Sequence, residues 1–205
     1  MDIAFIQNSI GIGGRSKVLS EAIKAFSELS TRVRLFTLSK SDSISKFTTY
    51  YDIEQSNIDI QNYHGLISKV PGTLYRQPAL NWLAGEELQA YDLIFNSNNC
   101  LRFLPDGPEY IHYIHLPTPA IPKVNERYRS SLSYRLYALP IKGMHKIFNK
   151  RGQEDTFITN SRFTARQYSQ VYGSPPDRVI YPPSIESVTV KSFSGSGVVS
   201  LGSFH

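Results

Sequence analysis

Apolar and polar positions follow one another along this chain in blocks that predict strand, turn and helix in regular succession. Ile3 to Gln7 is a short, mainly apolar run suited to a buried strand. The turn Gly11-Ile12-Gly13-Gly14 comes next. A helical pattern then runs from Arg15 to Leu29, with Val18, Leu19, Ala22, Ile23, Ala25, Phe26 and Leu29 on its apolar side. Val33 to Leu38 is a second strand, which completes a βαβ unit.

From Ser39 to Gly72 the periodicity blurs, apart from the Tyr50-Tyr51 pair and a short strand expected near Ile58 to Ile60. A helix is predicted from Tyr75 to Gln89, with Trp82 and Leu83 turned inward. Asp92 to Phe95 is the next strand, ending in the polar run Asn96-Ser97-Asn98-Asn99. Tyr110 to Ile114 is another, ending at His115. Pro117, Pro119 and Pro122 bar regular structure throughout the following loop. Ser131 to Asn149 reads as a long helix carrying Pro140. Thr156 to Thr159 is a strand, and Asn160-Ser161 caps a helix from Arg162 to Val171. Val179 to Tyr181 is the last strand before Pro182-Pro183.

Strands alternating with helices predict an α/β fold: a Rossmann-like, open, mostly parallel sheet with helices on both faces. Ligands of such sheets bind at the carboxyl ends of the strands. The polar or glycine-bearing segments after Gln7, Phe95, Ile114 and Thr159 all fall there. Arg15, Asn98 and Asn99 are cleft candidates on that geometry. After a Ser/Gly/Lys stretch from Val188 to Gly197, Val198 to Gly202 reads as a strand that has no sheet of its own unless it pairs back onto the first. Residues 1–185 are therefore expected to form one domain, 186–197 a linker, and 198–205 the first strand of a second domain cut short.

Composition narrows the classes. The 205 residues are 40% hydrophobic and 12% aromatic, enough for a core and against a disordered or collagen-like chain. One cysteine, Cys100, excludes an intramolecular disulfide framework and a cysteine-rich zinc site. No metal-ligand cluster stands out, and neither a metal nor a cofactor is expected. The start MDIAFIQNSI lacks a basic region and a long apolar run, so it is not a secretory signal. No segment approaches the roughly 18 apolar residues of a membrane span.

The net charge of +5 permits an anionic partner. Its basic residues concentrate between 122 and 151, where Lys123, Arg127, Arg129, Arg135, Lys142, Lys146, Lys150 and Arg151 face a single acid, Glu126. Tyr128, Tyr134, Tyr137 and Phe148 interleave. This mixture suits an anionic membrane surface, or else a solvated helix face. No RNA-binding motif accompanies it, and no nucleic-acid partner is expected.

The glycine turn lacks the third glycine of a dinucleotide fingerprint, because Ser16 stands there, and the second strand ends without an acid. An NAD-dependent enzyme is thereby disfavoured. Glycines at this place either bring backbone N–H groups to a phosphate at a helix N-terminus or serve a tight turn that needs positive φ. His115, at a strand end, either hydrogen-bonds a ligand in the cleft or is satisfied by a backbone carbonyl. His112 and His115, three apart, alternate faces of a regular strand.

In this order the segments resemble the N-terminal half of a GT-B glycosyltransferase of family 4. Gly13-Gly14 before a helix resembles that family's glycine loop. Tyr113-Ile114-His115-Leu116-Pro117-Thr118 is similar to the Y-x-H-x-P-T segment of mannosyltransferases that extend dolichol-linked oligosaccharides. Thr159-Asn160-Ser161-Arg162-Phe163-Thr164 resembles its N-S-x-F-T segment, and Val179-Ile180-Tyr181-Pro182-Pro183 its V-I-Y-P-P strand. Ser200 to His205 is similar to the strand opening the second domain, although Ser203 stands where the family has arginine.

The resemblance implies retaining transfer of a hexose, mannose among the candidates, from a nucleotide-sugar to a lipid-linked or membrane-proximal glycan acceptor. It implies an enzyme located in the cytoplasm, peripheral at the cytosolic membrane face. Gly13 and Gly14 would meet the leaving diphosphate, His115 the transferred sugar, and Arg162 a diphosphate. It also implies a partner C-terminal domain of the same protein, without which the piece does not turn over. The alternative is a non-catalytic Rossmann-like module for a nucleotide or phosphosugar.

Overall fold

The computed structural model describes residues 1–67, 73–98, 106–126, 130–148 and 155–183. Its strands are β1 (Asp2–Ile6), β2 (Arg32–Thr37), β3 (Asp59–Asn62), β4 (Leu93–Asn96), β5 (Glu109–Ile114), β6 (Thr156–Thr159) and β7 (Arg178–Val179). They form one sheet in the order β3-β2-β1-β4-β5-β6-β7, with every neighbouring pair parallel. The helices are α1 (Gly14–Ser27), α2 (Ser41–Tyr50), the single turn α3 (His64–Ile67), α4 (Thr73–Leu88), the single turn α5 (Ile121–Val124), α6 (Leu132–Phe148) and α7 (Arg162–Tyr172). This is the expected Rossmann-like α/β fold.

The central strands are apolar on both faces because helices cover both. Along β1, Ile3 and Phe5 turn one way, into a core with Leu19 and Ile23 of α1, Phe47 of α2, and Leu35 and Phe95. Ala4 and Ile6 turn the other way, onto Leu80, Ala84 and Leu88 of α4 with Phe36 and Ile94. Tyr168 of α7 packs with Ile114 and Phe157 in a third cluster.

Several expectations need correction. Trp82 does not turn inward: it is 72% exposed. The buried line of α4 runs through Gln77, Leu80, Asn81, Ala84 and Leu88, and Trp82 falls on the opposite side of that helical repeat. Leu83 is partly buried against the core, as expected. Helix α1 stops at Ser27, so Leu29 lies beyond it and is exposed, as is Ala25. The blurred segment holds α2, β3 and α3. The final strand is only Arg178–Val179, although the Ile180 N–H still donates to the Thr159 carbonyl at 2.9 Å. The expected linker and second-domain strand lie outside the described residues.

Topology fixes where chemistry can gather. From β1 the chain passes to β2 and β3 on one side, while β4 to β7 lie on the other. The order therefore reverses between β1 and β4, and the loops at their carboxyl ends bound a crevice.

Candidate functional site

The first wall of the crevice is the loop from Gln7 to Gly13. Gly13 has φ 154 and ψ 173, a conformation essentially reserved for glycine. The Tyr51 hydroxyl accepts from the Gly13 N–H at 3.0 Å and donates to the Gly13 carbonyl at 3.0 Å, fastening the turn to the end of α2. The Gly13 N–H is thus engaged within the protein. The N–H groups of Gly14 and Arg15 lie in the first turn of α1, ahead of any intrahelical acceptor. Deeper in the loop, Ser39 Oγ accepts from the Ile10 N–H at 2.7 Å, and Ser16 Oγ from the Gly11 N–H at 3.1 Å.

The second wall follows β4. The Asn96 side-chain oxygen accepts from the Asn98 N–H at 3.0 Å. Asn98 Oδ1 in turn accepts from the Asn8 N–H at 2.9 Å, and its Nδ2 donates to Asn81 Oδ1 of α4 at 3.4 Å. Asn98, fully buried, is therefore a clasp between the two loops and α4. The sequence identifies it as a cleft residue, and the structure gives both ends of its amide protein partners.

His115 closes the site from the turn after β5. Its Nε2 lies 3.2 Å from Ser97 Oγ, and its backbone carbonyl accepts from the Thr164 hydroxyl at 3.0 Å. Its ring meets Tyr113 edge-on, with centroids 5.1 Å apart. Burial, followed by the positive charge of Arg15, lowers the imidazole pKa to about 3. His115 is accordingly neutral at physiological pH, a hydrogen-bonding group and not a cation. Arg15 and His115 are close enough in space for one charge to act on the other. The Arg15 guanidinium pKa is itself lowered by burial.

Arg15 Nε and Nη2 are buried without a hydrogen-bond partner. So are Gln7 Oε1, Asn8 Oδ1, Asn81 Nδ2 and Thr159 Oγ1. All belong to the carboxyl edge of the sheet or to the helices bordering it. Groups in that condition usually lose about 1–3 kcal/mol each, and a charged one more. An anion's oxygens would satisfy the Arg15 and Asn81 donors, whereas the Gln7 and Asn8 oxygens call for a donor such as a polyol hydroxyl.

His112 has a separate role. The Asn96 oxygen is taken by the Asn98 N–H, so Asn96 presents Nδ2 to His112 Nδ1 at 3.1 Å. Nδ1 is then the acceptor, and Nε2 carries its hydrogen toward Asp155 Oδ2 at 3.8 Å. The ring also stacks on Phe157. The two histidines do diverge, as their odd spacing requires.

Arg162 is the first residue of α7 and is exposed. That helix is capped by Ser161, whose Oγ accepts from the Thr164 N–H at 3.1 Å. Lys123 and Arg135 are exposed. Lys142 and Lys146 fall within α6. Asn99, Arg127, Arg129, Lys150 and Arg151 lie outside the described residues. Among the described residues, no three His, Cys, Asp or Glu side chains are grouped to hold a metal, and no helix is long and apolar enough to cross a membrane.

Sequence reasoning did not single out Ser97, Asn81, Asn8 or Tyr51. Ser97 and Asn8 each follow a strand end, which is a signal in itself. Asn81 sits on the buried side of α4 among Leu80 and Ala84, where a polar residue requires a reason. A groove of 440 Å³ lined by Lys24, Glu28, Asp52 and Glu54 lies instead toward the amino ends of the strands, with mixed charge. No protein-family model matches this chain, and no curated protein matches it either.

Proposed function

We propose that this chain is the acceptor-side half of a GT-B glycosyltransferase, moving a hexose from a nucleotide-sugar to a lipid-linked or membrane-proximal glycan with retention. Mannose is the sugar suggested by the Y-x-H-x-P-T likeness. The observation that carries the reading is Arg15: a half-buried residue whose guanidinium Nε and Nη2 are buried and unpartnered, at the N-terminus of α1 in the topological crevice, acting electrostatically on His115. A diphosphate oxygen is the ligand chemistry that fits it.

In such a transfer the bond from the sugar's anomeric carbon to the diphosphate oxygen breaks. The acceptor hydroxyl oxygen bonds to that carbon from the same face, and its proton passes to the departing phosphate. Arg15 and the first N–H groups of α1 would stabilise the charge that grows on the leaving group. His115, neutral and oriented by Ser97 and Thr164, would hydrogen-bond a hydroxyl of the transferred sugar. The rest of the donor would be held by a second Rossmann-like domain beyond the linker. No cofactor enters this scheme. The cytosolic face of a membrane is where we place it, on the basic excess between 122 and 151.

The test uses the full-length gene product. Radiolabelled nucleotide-sugars are offered with a lipid-linked acceptor, wild type beside Arg15→Ala and His115→Ala. Transfer that collapses in both folded variants supports the reading. Absence of transfer with every donor, from a protein that still binds nucleotide-sugars, replaces it with a non-catalytic binding module.

A further inference from the structure

The face of α6 that meets the body of the protein is set by two residues. Tyr137 accepts a hydrogen bond at its carbonyl from the Tyr75 hydroxyl, 2.7 Å away, and its ring packs edge-on against Tyr75 of α4. Ala138 is buried. At about 100° per residue, Leu132, Leu136 and Leu139 share an arc of about 60° centred on the opposite side. They are 68%, 57% and 55% exposed. A solvated helix is expected to place polar residues there.

We infer that this leucine stripe is a bilayer-docking surface, with anionic lipid as its occupant. Charge complementarity selects that occupant. Arg135 stands beside the stripe, exposed Lys123 precedes it on α5, and the remainder of α6 adds Lys142 and Lys146. Across residues 122–151 the balance is eight basic residues to one acid. An apolar stripe accompanied by basic residues is the pattern of a helix lying in the headgroup region: leucines enter the acyl boundary while the cations meet lipid phosphates. A protein partner would need acids in register with those bases, and a second copy of this chain would set the same positive charges against one another.

The placement suits the site. Helix α6 packs against the Thr118–Ala120 turn, only three residues past His115. Docking by the stripe would hold the crevice near the bilayer surface. This extends the membrane-proximal part of the function proposed above and uses neither donor nor acceptor in its test, so each can fail without the other.

The test is co-sedimentation of the chain with vesicles of phosphatidylcholine, with and without phosphatidylserine, at low and high salt. The wild type is compared with Leu132→Ser/Leu136→Ser/Leu139→Ser and with Arg135→Glu/Lys142→Glu. All three leucines are exposed, so the triple variant should keep its fold, which circular dichroism and thermal melting verify. The expected result is binding to the anionic vesicles, cut at least about tenfold by the leucine variant and likewise by the charge reversal. Unchanged binding by the leucine variant would overturn the inference by showing a purely electrostatic contact. So would a wild type that ignores vesicles, including one that self-associates through leucines whose loss makes it monomeric by analytical ultracentrifugation.

Discussion

The Nε2 of His115 lies 3.2 Å from the Oγ of Ser97, joining the end of β5 to the end of β4. This contact sits in a buried corner with Arg15, and burial and that charge together lower the imidazole pKa to about 3. His115 should therefore show no ring titration between pH 5 and 8 by two-dimensional NMR. The unfolded chain takes up the proton near pH 6.5, while the folded chain resists it until about 3. The contribution is complete above 6.5 and fades as pH falls toward 3, at up to about 1.4 kcal/mol per pH unit. A ring that titrates near 6.5 would remove the basis for a neutral His115.

Arg15→Met separates ligand binding from folding. Burying Arg15 Nε and Nη2 without partners costs stability, so an apolar chain of similar length should leave stability unchanged or raise it by about 1 kcal/mol at most. Affinity for pyrophosphate or a nucleoside diphosphate should fall at least tenfold, since charge-assisted bonds contribute about 1.5–3 kcal/mol each. Calorimetric titration and a melting curve on the same preparation check both. A variant that melts earlier yet binds as before would make Arg15 a packing residue.

The adjacent glycines should respond in opposite ways. Gly13 has φ 154, so Gly13→Ala should lose about 1–3 kcal/mol from backbone strain although a Cβ there meets no atom within 4 Å. A Cβ on Gly14 is equally free, and no positive φ forbids it. Gly14→Ala should hold or slightly gain stability through helix propensity. If a ligand approaches the first turn of α1, Gly14→Ala should weaken that ligand without unfolding the protein. Urea unfolding of both variants, with diphosphate titrations of Gly14→Ala, decides the matter. Equal losses of stability would mean that the turn is not held as described.

What the sequence could reveal depended on how local each signal was. Strand and helix alternation, the glycine turn and the Ser161 cap are written in neighbouring residues, and they appear where expected within a residue or two. Trp82 is apolar yet exposed, because apolar character alone does not set burial and the buried line of α4 includes Gln77 and Asn81 instead. Those amides are explained only by partners distant in sequence, Thr118 for Gln77 and Asn98 for Asn81. The approach of Arg15 to His115 is likewise a product of sheet order, which places β5 two strands from β1. No spacing in the sequence encodes it.

The cap of α7 and the placement of His115 should prove energetically coupled. Ser161 Oγ lies 3.0 Å from Thr164 Oγ1, and that hydroxyl donates to the His115 carbonyl at 3.0 Å. Ser161→Ala removes a cap and should cost about 1 kcal/mol. Thr164→Val deletes the bond to His115 and should cost about as much. Because the two hydroxyls are links of one chain, the double variant should lose less than the sum, by at least about 0.5 kcal/mol. A double-mutant cycle in urea measures this. Additive losses would show α7 to be capped independently of His115, whereas a shortfall would mean that the helix start serves to hold the histidine's backbone at the crevice.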